Sequence, residues 1–329
     1  MPNKSDPMED NIVKYPQTDM RTESDSRGHR NRPTERVPGV LDERLLPDPD
    51  FNTLWSAIVL PDNLKDQLLC QSILNFTLRY RLSRAAVPLH GLIVLVGPPG
   101  TGKTSLARGL ATRIAESFPG ETQFRYVEVE PHGLTSSSLG RSQKAVRDFL
   151  GETIAERACM GPLIVLLDEV ETLATDRSKL SLEANPVDVH RATDAVLAQL
   201  DQLATNHPAL LFIATSNFPE AIDSALISRA DLVVTINPPD MDACGKILDD
   251  TLRAFADEFP GIKRIIGSDE FKEAAGLCVG LDGRQIRKVV VTACTFNKET
   301  ALDPNRLTGR DLIRAVRQVN QQSNGGVFK

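Results

Sequence analysis

The residues with the clearest chemical capacity are Gly97, Pro98, Pro99, Gly100, Thr101, Gly102, Lys103, Thr104 and Ser105. They satisfy the spacing G-x-x-x-x-G-K-[ST], with an apolar run at Leu92–Val96 before it and a helix-forming stretch at 105–116 after it. Glycines at these positions let successive backbone N–H groups curl round phosphate oxygens, and the positive end of the following helix adds to the attraction. Lys103 can reach the terminal phosphates and the Thr104 hydroxyl can ligate Mg²⁺. The loop asks for a nucleoside triphosphate, but alone it leaves kinase, GTPase, motor and switch open.

A second apolar run, Leu163–Leu167, ends in Asp168 and Glu169. In an open α/β sheet ligands bind beyond the carboxyl ends of the strands, where the phosphate loop also belongs. Asp168 is placed to hold Mg²⁺ through water, and Glu169 to polarise an attacking water. No acceptor pocket or arginine-rich lid of a small-molecule kinase is recognisable. The nearest approach to a guanine-reading Asn-Lys-x-Asp stretch, Asn297-Lys298-Glu299-Thr300, lacks the Asp, so ATP is favoured.

Asn217 follows a further buried run and could orient the water or contact the γ-phosphate. Arg229 stands just before the last apolar run, and Arg284 opens a helical stretch after Gly280-Leu281-Asp282-Gly283. A lone arginine is most often a solvated surface charge, but two in these contexts are harder to dismiss.

The elements that must position these groups are legible as short Val/Ile/Leu-rich runs at Leu92–Val96, Phe124–Val129, Leu163–Leu167, 210–214 and 232–236. They lack polar alternation and alternate with longer helical segments, which predicts an α/β fold with a five-stranded parallel sheet flanked by helices. After Pro238-Pro239 only helical patterns follow, near 240–258, 268–278, 283–298 and 309–321. The expected organisation is a disordered arm over 1–45, too polar and Pro-rich to offset its ordering entropy, a nucleotide-binding domain over 46–239 and a small all-helical lid domain over 240–329.

The chain has 329 residues, 41% hydrophobic and 25% charged, ample for a sizeable core. Its net charge of −6 argues against general nucleic-acid affinity. Five scattered cysteines, none spaced as a CxxC pair, predict buried thiols in a reducing compartment. No run approaches the roughly 18 apolar residues of a membrane span, so a cytoplasmic protein is expected.

Taken together, residues 97–104, 163–171, 214–217, 223–231 and 280–288 resemble an AAA+ ATPase over about 60–322. The stretches Asp168-Glu169-Val170-Glu171-Thr172-Leu173, 185–201 and Ser228-Arg229-Ala230-Asp231 resemble its pachytene-checkpoint branch, the ATPases that remodel HORMA-domain proteins. The resemblance implies Walker A roles for Lys103 and Thr104 and Walker B roles for Asp168 and Glu169. It makes Asn217 sensor 1, Arg229 an arginine finger acting on a neighbour's ATP, and Arg284 sensor 2. It also implies a hexameric ring.

Two departures stand out. The pore-loop stretch, 135–140, offers Leu139 where the family often has an aromatic, which favours short local unfolding over processive threading. A folded adaptor-binding domain before residue 60 is missing from the pattern, as in the short bacterial members, which act on HORMA proteins that activate nucleotidyltransferases in antiphage defence. By that likeness the expected partner is a HORMA-domain protein, in complex with a nucleotidyltransferase. A DNA-linked assembly switch or clamp-loading module and a protease-partner unfoldase are the alternatives. The first lacks a basic DNA-facing element, and the second has only a weak docking tail at 325–329.

Overall fold

A computed structural model describes residues 37–118, 120, 122–134, 141–174 and 186–324. The pore-loop stretch at 135–140 and the arm before residue 37 lie outside the described residues. An edge strand β1 (Val40–Leu46) is followed by β2 (Leu92–Val96), β3 (Phe124–Val129), β4 (Leu163–Leu167), β5 (Leu210–Ser216) and β6 (Leu232–Thr235). Their order in the sheet is β1-β3-β4-β5-β2-β6. All neighbours run parallel except β1, which pairs antiparallel with β3.

The helices before the sheet's end are α1 (Pro49–Ala57), α2 (Asp62–Leu78), α3 (Lys103–Glu116), α4 (Pro131–Leu134), α5 (Arg141–Asp148), α6 (Ala155–Cys159), α7 (Pro186–Asn206) and α8 (Ser224–Ile227). After it come α9 (Met241–Glu258), α10 (Asp269–Leu277), α11 (Gly283–Cys294), α12 (Lys298–Leu302) and α13 (Gly309–Asn324).

Alternate residues of each central strand enter different layers, as the strand period of two requires. Val94, Val165, Leu167 and Phe212 pack with Val196 and Leu200 of α7, whereas Ile93, Leu95, Ile164 and Ile213 pack with Phe51, Leu68, Leu106 and Leu110 of α1 to α3. Burial on both faces explains the unbroken apolar runs. The helices after Met241 have their own core, including Leu248, Leu252, Ile286, Val290, Leu312 and Val316. Side-chain caps start most of them: Asp240 accepts from the Ala243 N–H, Ser268 from Phe271, and Asn297 from Thr300. The stretch expected as one helix over 283–298 divides there, α11 ending before Thr295 and α12 starting after the Asn297 cap.

Three expectations need correction. The sheet has six strands, not five, and the segment expected to be a disordered arm over 1–45 contributes Val40 onward to a strand. The reason is visible in β1 itself. Leu41 and Leu45 are 59% and 54% exposed, while Arg44 pairs with Asp42 and Asp48, and Glu43 with Arg157. Its backbone ladder to β3 and the burial of Leu46 hold an edge strand whose inner face carries the charged Asp42 and Arg44. The cysteines are free, but Cys70 and Cys159 are exposed and only the other three are buried. Among the described residues no helix is long and apolar enough to cross a membrane.

Candidate active site

The carboxyl ends of β2, β4 and β5 meet at one edge of the sheet and deliver the phosphate loop, Asp168 and Asn217 to a single cavity of about 240 Å³. Pro99, Gly100, Gly102, Lys103, Thr104, Ser105, Asp168, Glu169, Asn217 and Arg284 all line it. The loop turns through positive φ at Gly100 and Gly102, 81° and 89°. These glycines also admit close neighbours. A Cβ at Gly100 would stand 2.3 Å from the Asp282 carboxylate carbon, and one at Gly102 would stand 2.5 Å from Cδ1 of Ile58.

Lys103 is 5% exposed, and its Nζ donates to the carbonyls of Gly97 and Pro98 at 2.9 and 2.8 Å. Burial lowers its pKa, opposed by the nearby Asp168, Glu171 and Glu169 carboxylates. A desolvated ammonium among backbone carbonyls is poised to exchange them for phosphate oxygens. The Thr104 hydroxyl donates to Oδ1 of Asp168 at 2.9 Å. Asn217 donates from Nδ2 to Oε1 of Glu169 at 3.2 Å, and its backbone N–H donates to Oε1 of Glu171 at 3.2 Å.

Thr215 was not singled out in the sequence, although it closes the bracket between the two acids. Buried at 1% exposure, its hydroxyl donates to Oδ1 of Asp168 and accepts the Glu169 N–H at 3.3 Å. Glu169 itself sits at φ 51°, ψ 53°, a left-handed conformation unusual for a residue with a side chain. Such strain at a carboxylate facing the cavity is what a preorganised water-activating group would show.

A second, more apolar cleft of about 240 Å³ adjoins the loop, lined by Ile58, Val59, Leu60, Asn237, Pro239, Ile247, Arg284 and Arg287 among others. It lies between the sheet domain and the helices after Met241, and suits a flat heterocyclic base. Its residues come from four distant segments, and apart from the phosphate loop and Arg284 no local spacing could have marked them.

The donor set fits Mg-ATP. Thr104 and Asp168 supply two adjacent oxygens, which suits Mg²⁺, an ion that completes its shell with water and phosphate oxygens. Among the described residues no group of three or more His, Cys, Asp or Glu forms a cage that would hold a metal without them.

Arg229 is not brought into this cavity. Its Nε and Nη2 donate to the two carboxylate oxygens of Asp201 on α7 at 2.9 and 2.8 Å, and Nη1 donates to the Ala225 carbonyl at 2.8 Å. The Asp201 contact raises the pKa of Arg229 and lowers that of Asp201.

Residues 93–238 match the family described as ATPase family associated with various cellular activities (AAA). CD-NTase-associated protein 6 of Pseudomonas aeruginosa is 58% identical over 276 residues, covering 84% of this chain and 90% of that protein. The pachytene checkpoint protein 2 homolog of Danio rerio is 31% identical over 282 residues, 78% of this chain and 66% of its own length. Among solved structures, an E. coli MS115-1 HORMA:CdnC:Trip13 complex contains a chain of the same fold, with a TM-score of 0.68 at 18% identity over 85% of this chain and 95% of that one. The chain belongs to the AAA ATPase family, in its pachytene-checkpoint branch.

Proposed function

We propose that the protein hydrolyses ATP with Mg²⁺ and uses the energy to remodel a HORMA-domain protein by partial unfolding. The observation that carries the chemistry is the cavity that collects Lys103, Thr104, Asp168, Glu169, Asn217 and Arg284. Backbone N–H groups of 97–105 and the Lys103 ammonium bind the phosphates, and Thr104 and Asp168 hold the metal. Bound Mg²⁺ would neutralise charge on the phosphate oxygens. Glu169, steadied by Asn217, takes the proton of the attacking water. Arg284 carries charge from the lid to the same phosphates.

Arg229 acts in trans on a neighbouring subunit's ATP, in a homohexameric ring. Its place outside its own cavity supports this. Of the guanidinium's five donors, two N–H groups remain beyond the three engaged by Asp201 and Ala225.

The substrate reading rests on the relatives. One is named for association with a CD-NTase, and the solved E. coli complex joins a HORMA protein, CdnC and Trip13. By that likeness this protein disassembles an activated HORMA–nucleotidyltransferase complex in the cytoplasm and so restrains antiphage second-messenger signalling. Steady-state ATP turnover tests the reading. Turnover should require Mg²⁺ and rise when a cognate HORMA protein is added; turnover insensitive to both would contradict it.

A further inference from the structure

Helix α11 reaches both ends of the nucleotide cleft. Asp282, its N-cap, bonds the Gln285 N–H and lies against the phosphate loop at Gly100. Arg284 lines the phosphate cavity. Arg287, about one turn further along, turns to the opposite end and donates from Nη2 to the backbone carbonyl of Ala57 at 2.6 Å.

Ala57 is the last residue of α1, a helix with no basic residue in its own last turn. Its terminal carbonyls are capped from elsewhere: that of Trp55 by Lys65 of α2 at 2.9 Å, and that of Ala57 by Arg287 from the lid. Directly after the capped carbonyl the chain turns extended at Ile58, φ −85° and ψ 119°, and Ile58, Val59 and Leu60 form the apolar wall of the cleft. Ile58 in turn rests on the phosphate loop at Gly102.

We infer that Arg287 is a positioning residue that couples occupation of the base cleft to the seating of the lid. With α11 seated, Arg287 fixes the end of α1 and hence the Ile58–Leu60 wall; with α11 displaced, the cap is lost and the wall loosens. Coupling of this kind is reciprocal, so a base in the cleft holds α11 against the phosphate loop, bringing Arg284 to the phosphates. The inference rests on the reading that the nucleotide's base occupies this cleft.

The test compares binding of ADP and of inorganic pyrophosphate by calorimetry on the full chain. Pyrophosphate registers any general loss of positive charge, whereas ADP also registers the base. Arg287→Gln should weaken ADP by about tenfold or more, the usual scale for a charged hydrogen bond, with pyrophosphate changed much less. Arg287→Lys, which keeps a cationic donor, should recover most of the ADP affinity, and it also guards against a Gln variant that fails to fold. Arg284→Gln should weaken both ligands. Equal losses of ADP and pyrophosphate in Arg287→Gln, or no loss of either, would overturn the coupling role while leaving the cleft reading standing. A wild-type protein that binds ADP no more tightly than pyrophosphate would overturn the cleft reading and the inference with it.

Discussion

The Thr215 hydroxyl, buried at the end of β5, is bonded to Asp168 across the strand boundary and so joins the two acids of the site. The same oxygen receives the Glu169 N–H, which sits in a left-handed turn. Thr215→Val keeps the shape and removes both bonds, leaving the partly buried Glu169 N–H unpaired and Asp168 held by the Thr104 hydroxyl alone. A loss of about 1–3 kcal/mol is expected from such an orphaned group. With Glu169 no longer fixed in its left-handed turn, ATP turnover should also fall, roughly tenfold to a hundredfold. Thr215→Ser should stay near wild type, and ATP affinity should change little in either variant.

Arg229→Ala should lower turnover by on the order of 10³, the scale of a trans arginine in other nucleotide hydrolases. Because the account places Arg229 at a neighbour's ATP, mixing this variant with Glu169→Gln should restore part of the activity. An intact Arg229 on the Glu169→Gln subunit then serves an intact Glu169 on its neighbour. Two inactive variants that remain inactive when mixed would show that Arg229 acts within its own chain.

The five apolar strands, the phosphate loop and the acids at 168 and 169 were legible because each is a local pattern: a run buried on both faces, or chemistry at fixed spacing. Strand β1 was not, since Leu41 and Leu45 stay exposed while its inner face carries the charged Asp42 and Arg44 before the buried Leu46. Thr215 stands among the polar residues that follow the 210–214 run, and its bonds to Asp168 and Glu169 form only once β4 and β5 pair. Arg287 meets Ala57 across 230 residues, and Arg229 finds Asp201 only once α7 and α8 are packed, so no spacing reveals either contact.

The buried Glu128 carboxylate, 1% exposed, accepts from Arg108 Nε and Nη2 at 2.9 and 2.7 Å and from the Tyr126 hydroxyl at 2.8 Å. Arg108→Met strands that charge and should cost about 3–5 kcal/mol, read by urea denaturation. Replacing Glu128 and Arg108 together by Gln and Met should cost less than the single change, because no uncompensated charge remains.

Burial pushes the Cys278 thiol from 9.0 up to about 12 and also raises Cys244 and Cys294. Unfolded thiols ionise first, so the unfolded chain holds fewer protons than the folded one above pH 9. Stability supplied by the neutral buried thiols should be intact below about pH 9 and decline towards about pH 12. In the native protein at neutral pH a maleimide should label Cys70 and Cys159 and spare the other three until denaturant is added.

ATP hydrolysis at this site is expected to drive apart a HORMA-containing complex. The most direct measurement follows dissociation of a cognate HORMA–nucleotidyltransferase complex after addition of the protein with Mg-ATP, in parallel with Glu169→Gln. Dissociation is expected with wild type and none with Glu169→Gln, which should bind ATP but turn it over far more slowly. No dissociation by wild type, or equal dissociation by both, would contradict this expectation.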